Sequence, residues 1–391
     1  MYQKHIVIVG AGIVGLSTAY ALLAHGCKRV TVLEQAAVDH PLSTSRGLSR
    51  LLRFEYGAHA WYSDMVRLSL RRWKALERVT QRQLYMRTGV LVLGRDDDQE
   101  TLRSYYTLRE LGIDIEQLSR SFCMQRFPQF NLQPYNVFTY NKHGGMLLAS
   151  SCLRVLKDLV LDLGGRIVET ARVTRLDYDS PVRPICLYLG SGEVCLADQV
   201  VLALGPWVHG LLEELRLPVR LTRQYVLYFT GMVAPFFKYH TFPSFMADDL
   251  YGFPIHNSCA GSGPGWLKVT SHRFGSPVVP GDALPIETHV IERIRREAGH
   301  LLPALRSAEI AHIDTCMYDV SQDEDFILDL LPGDERIVLA TGMSGHAFKF
   351  GPLLGEMVGS MVLGTEAPVP LERFAMTRFS HFLTQSTMPV A

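Results

Sequence analysis

The 391-residue sequence carries no excess charge of either sign, since 39 lysines and arginines balance 39 aspartates and glutamates. Without a basic surplus there is no bulk attraction for nucleic acid or for an anionic membrane, so neither is expected as a partner. The seven cysteines are scattered, and none forms a CxxC pair. That argues against a disulfide framework and a zinc site, leaves no metal expected, and points to a reducing compartment, the cytoplasm. Long apolar runs are missing too, and no window suits a membrane span. Residues 6–24 follow Lys4 as a leader peptide would, but no cleavage-site pattern comes after them. There is no internal repeat and no low-complexity tract. The length exceeds what one compact core usually holds, so two domains are expected.

What is present is densest between Lys4 and Glu34. His5 to Val9 is an apolar run of the length of a buried parallel strand. Gly10, Gly12 and Gly15 follow as GxGxxG, then an apolar helix-forming segment from Ile13 to Leu23 that Gly26 can end. A second β-rich run, Arg29 to Leu33, stops at Glu34. Gly10 permits a tight turn, Gly12 lets backbone approach a pyrophosphate, and Gly15 lets helix and strand pack closely. The helix N-terminus offers unpaired N–H groups to phosphate. Glu34 stands about twenty residues on, where a carboxylate accepts from a ribose. The unit binds a dinucleotide; on these residues alone FAD and NAD stay open.

Ser43 to Arg53 carries three arginines in eight residues, Arg46, Arg50 and Arg53. Read as a helix, Arg50 and Arg53 share a face, and the stretch suits an anion. Trp61 to Arg78 reads as an amphipathic helix buried through Tyr62, Met65, Leu68 or Leu70, Trp73 and Leu76. Residues 122–134 read as loop. Val200 to Leu204 reads as a buried strand ending at Gly205, with a helix from Val208 to Leu215. From Val219 to Ser271 alternating runs suggest an antiparallel sheet. Arg336 to Thr341 is a last buried strand. It leads into a glycine-rich turn, Gly342 to Gly351, and a helix from Pro352 to Leu363.

This layout, with four further matches, resembles the monomeric sarcosine oxidase family, which includes N-methyltryptophan and pipecolate oxidases and has glycine-oxidase-like relatives. The matches are Gly47-x-Ser49-Arg50-x-x-Arg53; Leu267-Lys268 with His272; Cys316-Met317-Tyr318 followed by Asp323 to Ile327 and Asp329; and Ser344-Gly345-His346-x-Phe348-Lys349-Phe350. They run over nearly the full chain. The resemblance implies an α/β plus α+β fold: a Rossmann-like FAD-binding domain (1–85, 146–218, 310–385) interrupted by an antiparallel-sheet substrate-binding domain (86–145, 219–309).

The resemblance also implies FAD joined through a cysteine sulfur to the flavin 8α-methyl, with Cys316 at the matching position. Arg53 and Lys349 match the pair that grips a substrate carboxylate. Lys268 matches the lysine near flavin N5 that speeds reaction with oxygen. Arg50 matches the basic residue over the other flavin face, and Tyr251, His272 and Tyr318 match pocket positions, His272 and Tyr318 with catalytic roles. Ser45, Arg46, Ser49, Val173, Gly205, Met343, Gly345, His346 and Phe348 join the glycines and Glu34 around the cofactor. The implied reaction oxidises the C–N bond of a secondary or cyclic α-amino acid to an imine, with O2 reduced to H2O2, in a monomer.

Two features depart from the family. Arg46 stands where well-known members have histidine, and the interval from Tyr251 to Lys268 is longer, carrying His256 to Gly263. They put sarcosine itself in doubt. They leave open a biosynthetic oxidase that desaturates a cyclic imino acid, and a dehydrogenase with another electron acceptor. A flavin-binding protein without turnover is the reading from outside enzymology.

Overall fold

His5–Val9 lies inside a six-stranded sheet, because its apolar residues can be covered on both faces. The order is Ile327–Leu331, Asp334–Thr341, Gln199–Leu202, His5–Val9, Arg29–Leu33, Arg166–Val168. All pairings are parallel except that of Ile327–Leu331 with Asp334–Thr341. Nucleotide-binding pieces from the start, middle and end of the chain thus meet in one sheet. Helices Ile13–Ala24 and Gly351–Leu363 pack together beside it. A Cβ at Gly355 would stand 2.4 Å from the Ser17 backbone, so only glycine lets them touch. The computed structural model describes residues 3–96, 98–178, 180, 182–212, 215, 217–256, 265–281 and 286–379. Of the long interval before Lys268, residues 257–264 lie outside the described residues.

The second large sheet has eight strands, ordered Glu309–Ser321, Val219–Thr230, Leu267–Ser271, Leu250–Phe253, Ser244–Ala247, Val90–Gly94, Val137–Asn141 and Glu116–Gln117. It is antiparallel apart from one parallel pair, Ser244–Ala247 with Val90–Gly94. That pair joins the two inserted segments. Its first strand, Glu309–Ser321, comes from the segment 310–385 that the sequence assigns to the cofactor domain. We therefore propose the domain junction after Ser321.

Three local expectations are corrected. The arginine-rich stretch is not helical: Arg50–Leu52 is a strand paired with Gly145–Leu147. Strand pairing here overrides the 3.6-residue pattern, and only glycine fits at 145, because a Cβ there would stand 2.2 Å from the Met86 carbonyl. Residues 120–126, read partly as loop, form a short helix, Arg120–Arg126, capped by Ser119, whose side chain accepts from Phe122 N. The helix expected from Val208 to Leu215 spans only Val208–Leu211, and residues 213, 214 and 216 lie outside the described residues.

Candidate active site

A cavity of about 490 Å³ runs between the sheets. Gly10, Gly12, Glu34 and Ser45 line one end, Val173 and Gly205 the flank, and Arg50, Tyr318, Met343, Gly345 and Phe348 the other end. The nucleotide end is built as the fingerprint requires. Gly10 has φ +106°, and a Cβ there would meet the Ala203 carbonyl at 2.3 Å. Gly15 abuts the Gly10 carbonyl, where a Cβ would stand 1.9 Å away. Ser45 Oγ accepts from Ile13 N at 3.0 Å, ordering the helix start. Glu34 accepts from Ala11 N at 2.7 Å and Ala36 N at 3.1 Å. A carboxylate has about four acceptor positions, so about two remain for ribose hydroxyls.

Beyond Ser43 and Arg50, which wall both spaces, lies a small one of about 20 Å³ lined by Arg46, Lys268, Asp314 and Cys316. Lys268, Asp314 and Cys316 reach it from one face of the eight-stranded sheet, while Arg46 and Arg50 close it from outside that sheet. Alternation along Glu309–Ser321 puts His312, Asp314, Cys316 and Tyr318 on the same side. Tyr228 is registered with His312, Val226 with Asp314 and Gln224 with Cys316. Lys268 stands beside Tyr228 and Thr270 beside Val226; Phe253 and Tyr251 stand next in the same rows. Residues 251, 268 and 316–318, far apart in sequence, become neighbours by register alone. Tyr318 hydrogen-bonds to Tyr251. Its ring also leaves no room for a Cβ at Gly345, which would come within 2.4 Å.

The cations at this end are heavily committed to backbone. Lys268, 4% exposed, donates to the Ser49 carbonyl at 2.6 Å and lies over the Phe253 ring at 4.8 Å. Burial, then Arg50, pushes its pKa well below the lysine range. Arg50 donates to the carbonyls of Ser49, Thr44 and Arg46 and faces Phe348 at 5.8 Å. Burial raises the Cys316 thiol, while Arg50 and Lys268 pull it down. Ser49 Oγ is fully buried without a hydrogen-bond partner among the described residues.

The second cation pair is organised by a residue the sequence reading did not single out, Tyr56. Lys349, 4% exposed, donates to Tyr56 Oη and to the His346 carbonyl, each at 2.8 Å. The Arg53 guanidinium stacks over the same tyrosine ring at 4.2 Å. Tyr56 Oη lies 3.2 Å from His346 Nδ1, and His346 Nε2 lies 3.1 Å from the Glu324 carbonyl. A carbonyl only accepts, so Nε2 carries the proton and Nδ1 accepts from Tyr56. The phenol oxygen therefore accepts from Lys349. Burial, then Arg53, pushes the Lys349 pKa far down. Burial, then Lys349, does the same to His346. Neither Arg53 nor Lys349 is hydrogen-bonded to a carboxylate among the described residues. Glu55, two residues after Arg53, is buried and attracts it electrostatically, but spends one oxygen on Phe54 N and makes no hydrogen bond to Arg53 among the described residues. A half-buried guanidinium beside a buried lysine, with no carboxylate hydrogen-bonded to either, suits an anion. Tyr56→Phe removes the acceptor that aims Lys349, so KM for a carboxylate substrate should rise about tenfold, the value of one charged hydrogen bond, with kcat changed far less. Steady-state kinetics checks this.

Asp319, also unforeseen, lines the main cavity. Its Oδ2 accepts from Met343 N at 3.0 Å and its carbonyl from Ser344 N at 2.8 Å, fixing the turn before Gly345. Burial pushes its pKa up to about 6. A carboxyl raised in the folded state adds stability below its unfolded pKa and loses it as pH rises through about 6. Asp319→Asn keeps an acceptor without the buried charge. Its thermal stability should match wild type near pH 4 and exceed it above about pH 7, by roughly 2–3 kcal/mol.

His272 departs from its expected catalytic place. It is exposed at the end of Leu267–Ser271, engages the Asp248 carbonyl at 3.2 Å, and lines neither space. Its ring stands 6.3 Å from that of Tyr251, so it flanks the pocket. Arg46 is exposed and reaches only the small space.

The cradle at Gly10 and Gly12 and the acceptor positions of Glu34, in one cavity with Arg50, suit a dinucleotide whose ring system reaches Arg50. Residues 5–361 match the model of the FAD dependent oxidoreductase family (DAO). The chain is 32% identical to peroxisomal sarcosine oxidase of Mus musculus over 381 residues, 96% of each chain. It is 27% identical to monomeric sarcosine oxidase of Bacillus sp. (strain B-0618) over 385 residues, 95% of each chain. Glycine oxidase from Geobacillus kaustophilus has the same fold, with a TM-score of 0.80 at 18% identity, covering 97% of this chain and 99% of that one. With the fingerprint, the sheet order and a family match over most of its length in agreement, this chain belongs to the FAD dependent oxidoreductase family.

Proposed function

We propose that the protein is a flavoprotein oxidase for a secondary or cyclic α-amino acid. The observation that carries the reading is buried Lys349 beside half-buried Arg53, which share Tyr56 with no carboxylate hydrogen-bonded to either among the described residues. A substrate carboxylate supplies the missing charge, and a guanidinium fork beside an ammonium fixes its orientation. Bound FAD supplies the two-electron acceptor for the carbon next to the amine. Tyr318, Tyr251 and Phe253 wall the adjoining sheet face. The chain needs no strong base if the amine arrives deprotonated. Lys268 faces the place where oxygen would be reduced to hydrogen peroxide, and a cation there favours the developing negative charge. Cys316, between Arg50 and Lys268 electrostatically, is the residue for covalent attachment to the flavin 8α carbon. Identity with the sarcosine oxidases supports the substrate class. The work is that of a monomer.

The test is peroxide release with sarcosine, pipecolate, proline and bulky N-methyl amino acids. Activity with at least one, lost in Arg53→Met, supports the reading. Turnover of simple amines lacking a carboxylate, at equal rates, would remove it. Oxygen uptake separates an oxidase from a dehydrogenase.

A further inference from the structure

Asp314 is the one carboxylate among the described residues that line the small space with Cys316. It stands two residues before the cysteine, on the same side of the same strand. Two donors hold it in place. Tyr228 Oη donates to Oδ2 at 2.8 Å, and His312 Nε2 meets Oδ1 at 2.8 Å. The tyrosine and histidine are registered with each other across the strands, so both come from the next row of the same sheet face. His312 stacks in turn on Trp266, with centroids 5.8 Å apart. The other charged groups lining the space, Arg46, Arg50 and Lys268, are cations. Arg50 and Lys268 are already donating to backbone carbonyls. Arg50 has no lone pair with which to take a proton, and Lys268 Nζ is directed at the Ser49 carbonyl.

Joining a cysteine sulfur to a methyl carbon requires a proton acceptor. One C–H bond of the 8α-methyl and the S–H bond of Cys316 break, and one C–S bond forms. The two electrons remain on the flavin ring, which ends reduced. The two protons are passed on to the ring or to solvent. Dioxygen then takes both electrons and leaves as hydrogen peroxide. We propose that Asp314, held by Tyr228 and His312, is the proton acceptor for the joining of Cys316 to FAD. The proposal rests on the covalent-flavin reading above. In turnover Asp314 has no part, which separates this role from those of Arg53, Lys349 and Lys268.

The experiment follows acid-stable flavin after FAD is added to full-length apoprotein, with FAD binding measured separately by fluorescence quenching. Wild type forms acid-stable flavin. Asp314→Ala should bind FAD as wild type does, yet join it about a hundredfold more slowly, the usual worth of a positioned base. Added formate should restore much of that rate, because it replaces the missing carboxylate; a packing role would not respond. His312→Gln weakens one anchor on the exposed side and should slow joining several-fold, which tests the idea even if Asp314→Ala fails to hold FAD. Joining at the wild-type rate in Asp314→Ala, or in His312→Gln should Asp314→Ala fail to hold FAD, overturns the proposal while leaving Cys316 in place. So does a slow Asp314→Ala that formate leaves slow. If wild type itself releases all its flavin in acid, the covalent reading falls first, and this proposal with it.

Discussion

Replacing Arg53 with methionine lowers kcat/KM for the amino-acid substrate by two to three orders of magnitude. Arg53 is half-buried beside buried Lys349. Truncating one partner of a buried charged contact costs about 2–5 kcal/mol, and each 1.4 kcal/mol is tenfold. Arg53 offers a planar fork that methionine lacks, and nothing else nearby offers a second one. The change has a compensating side. Arg53 is the charge that, after burial, depresses the Lys349 pKa. Without it only burial holds that pKa down, and Lys349 is left to hold the carboxylate alone. The double variant with Lys349→Met should therefore lose more than Arg53→Met does, but the two losses need not add, since both act on one carboxylate. Steady-state kinetics on the four proteins checks this. An amine without a carboxylate provides the control and should show little difference among them.

Lys268→Met should slow reoxidation of the reduced enzyme about a hundredfold or more, the order expected for removing one preorganised electrostatic group. Anaerobic reduction by substrate should change much less. Stopped-flow measurement of the two half-reactions separates them, and equal losses would take the oxygen role from Lys268. The pH dependence carries a sign as well. Lysine is cationic below its pKa, and burial with Arg50 moves that pKa well below the ordinary range. Reoxidation by wild type should therefore fall as pH rises, with a midpoint lower than an exposed lysine would give. In Lys268→Met the slow rate should stay flat. The variant also removes the 2.6 Å bond to the Ser49 carbonyl, which keeps Arg50 as a donor at 3.0 Å, so the loss is that of one hydrogen bond, about 0.5–1.5 kcal/mol.

The sequence was most legible where chemistry and spacing are local. The unit from His5 to Glu34 is read from its glycines, because their spacing is local, although the contact that demands Gly10 comes from Ala203 on a distant segment. The matches at Cys316-Met-Tyr and Ser344 to Phe350 pointed to the family for the same reason: short segments carry it. What escaped depends on distant strands. Tyr56 meets Lys349 across 293 residues, and no local pattern marks a tyrosine that serves two cations. Asp314 was within reach, since a period of two along a strand puts it beside Cys316, but the strand's partner Tyr228 is visible only in the register. Asp319 follows Tyr318 directly and matters through a turn that closes from residues 341–344. The arginine-rich stretch failed differently. Its spacing fits a helix, and the pairing of Arg50–Leu52 with Gly145–Leu147 decides against it.

The account stands on an amino-acid carboxylate bound beside a flavin. The direct measurement is anaerobic mixing of the purified yellow protein with sarcosine, pipecolate, proline and bulkier N-methyl amino acids, followed by admission of air. Bleaching by at least one of them, return of colour with release of peroxide, and loss of bleaching in Arg53→Met are the results expected. Bleaching by none of them, or equal bleaching in wild type and Arg53→Met, would contradict it.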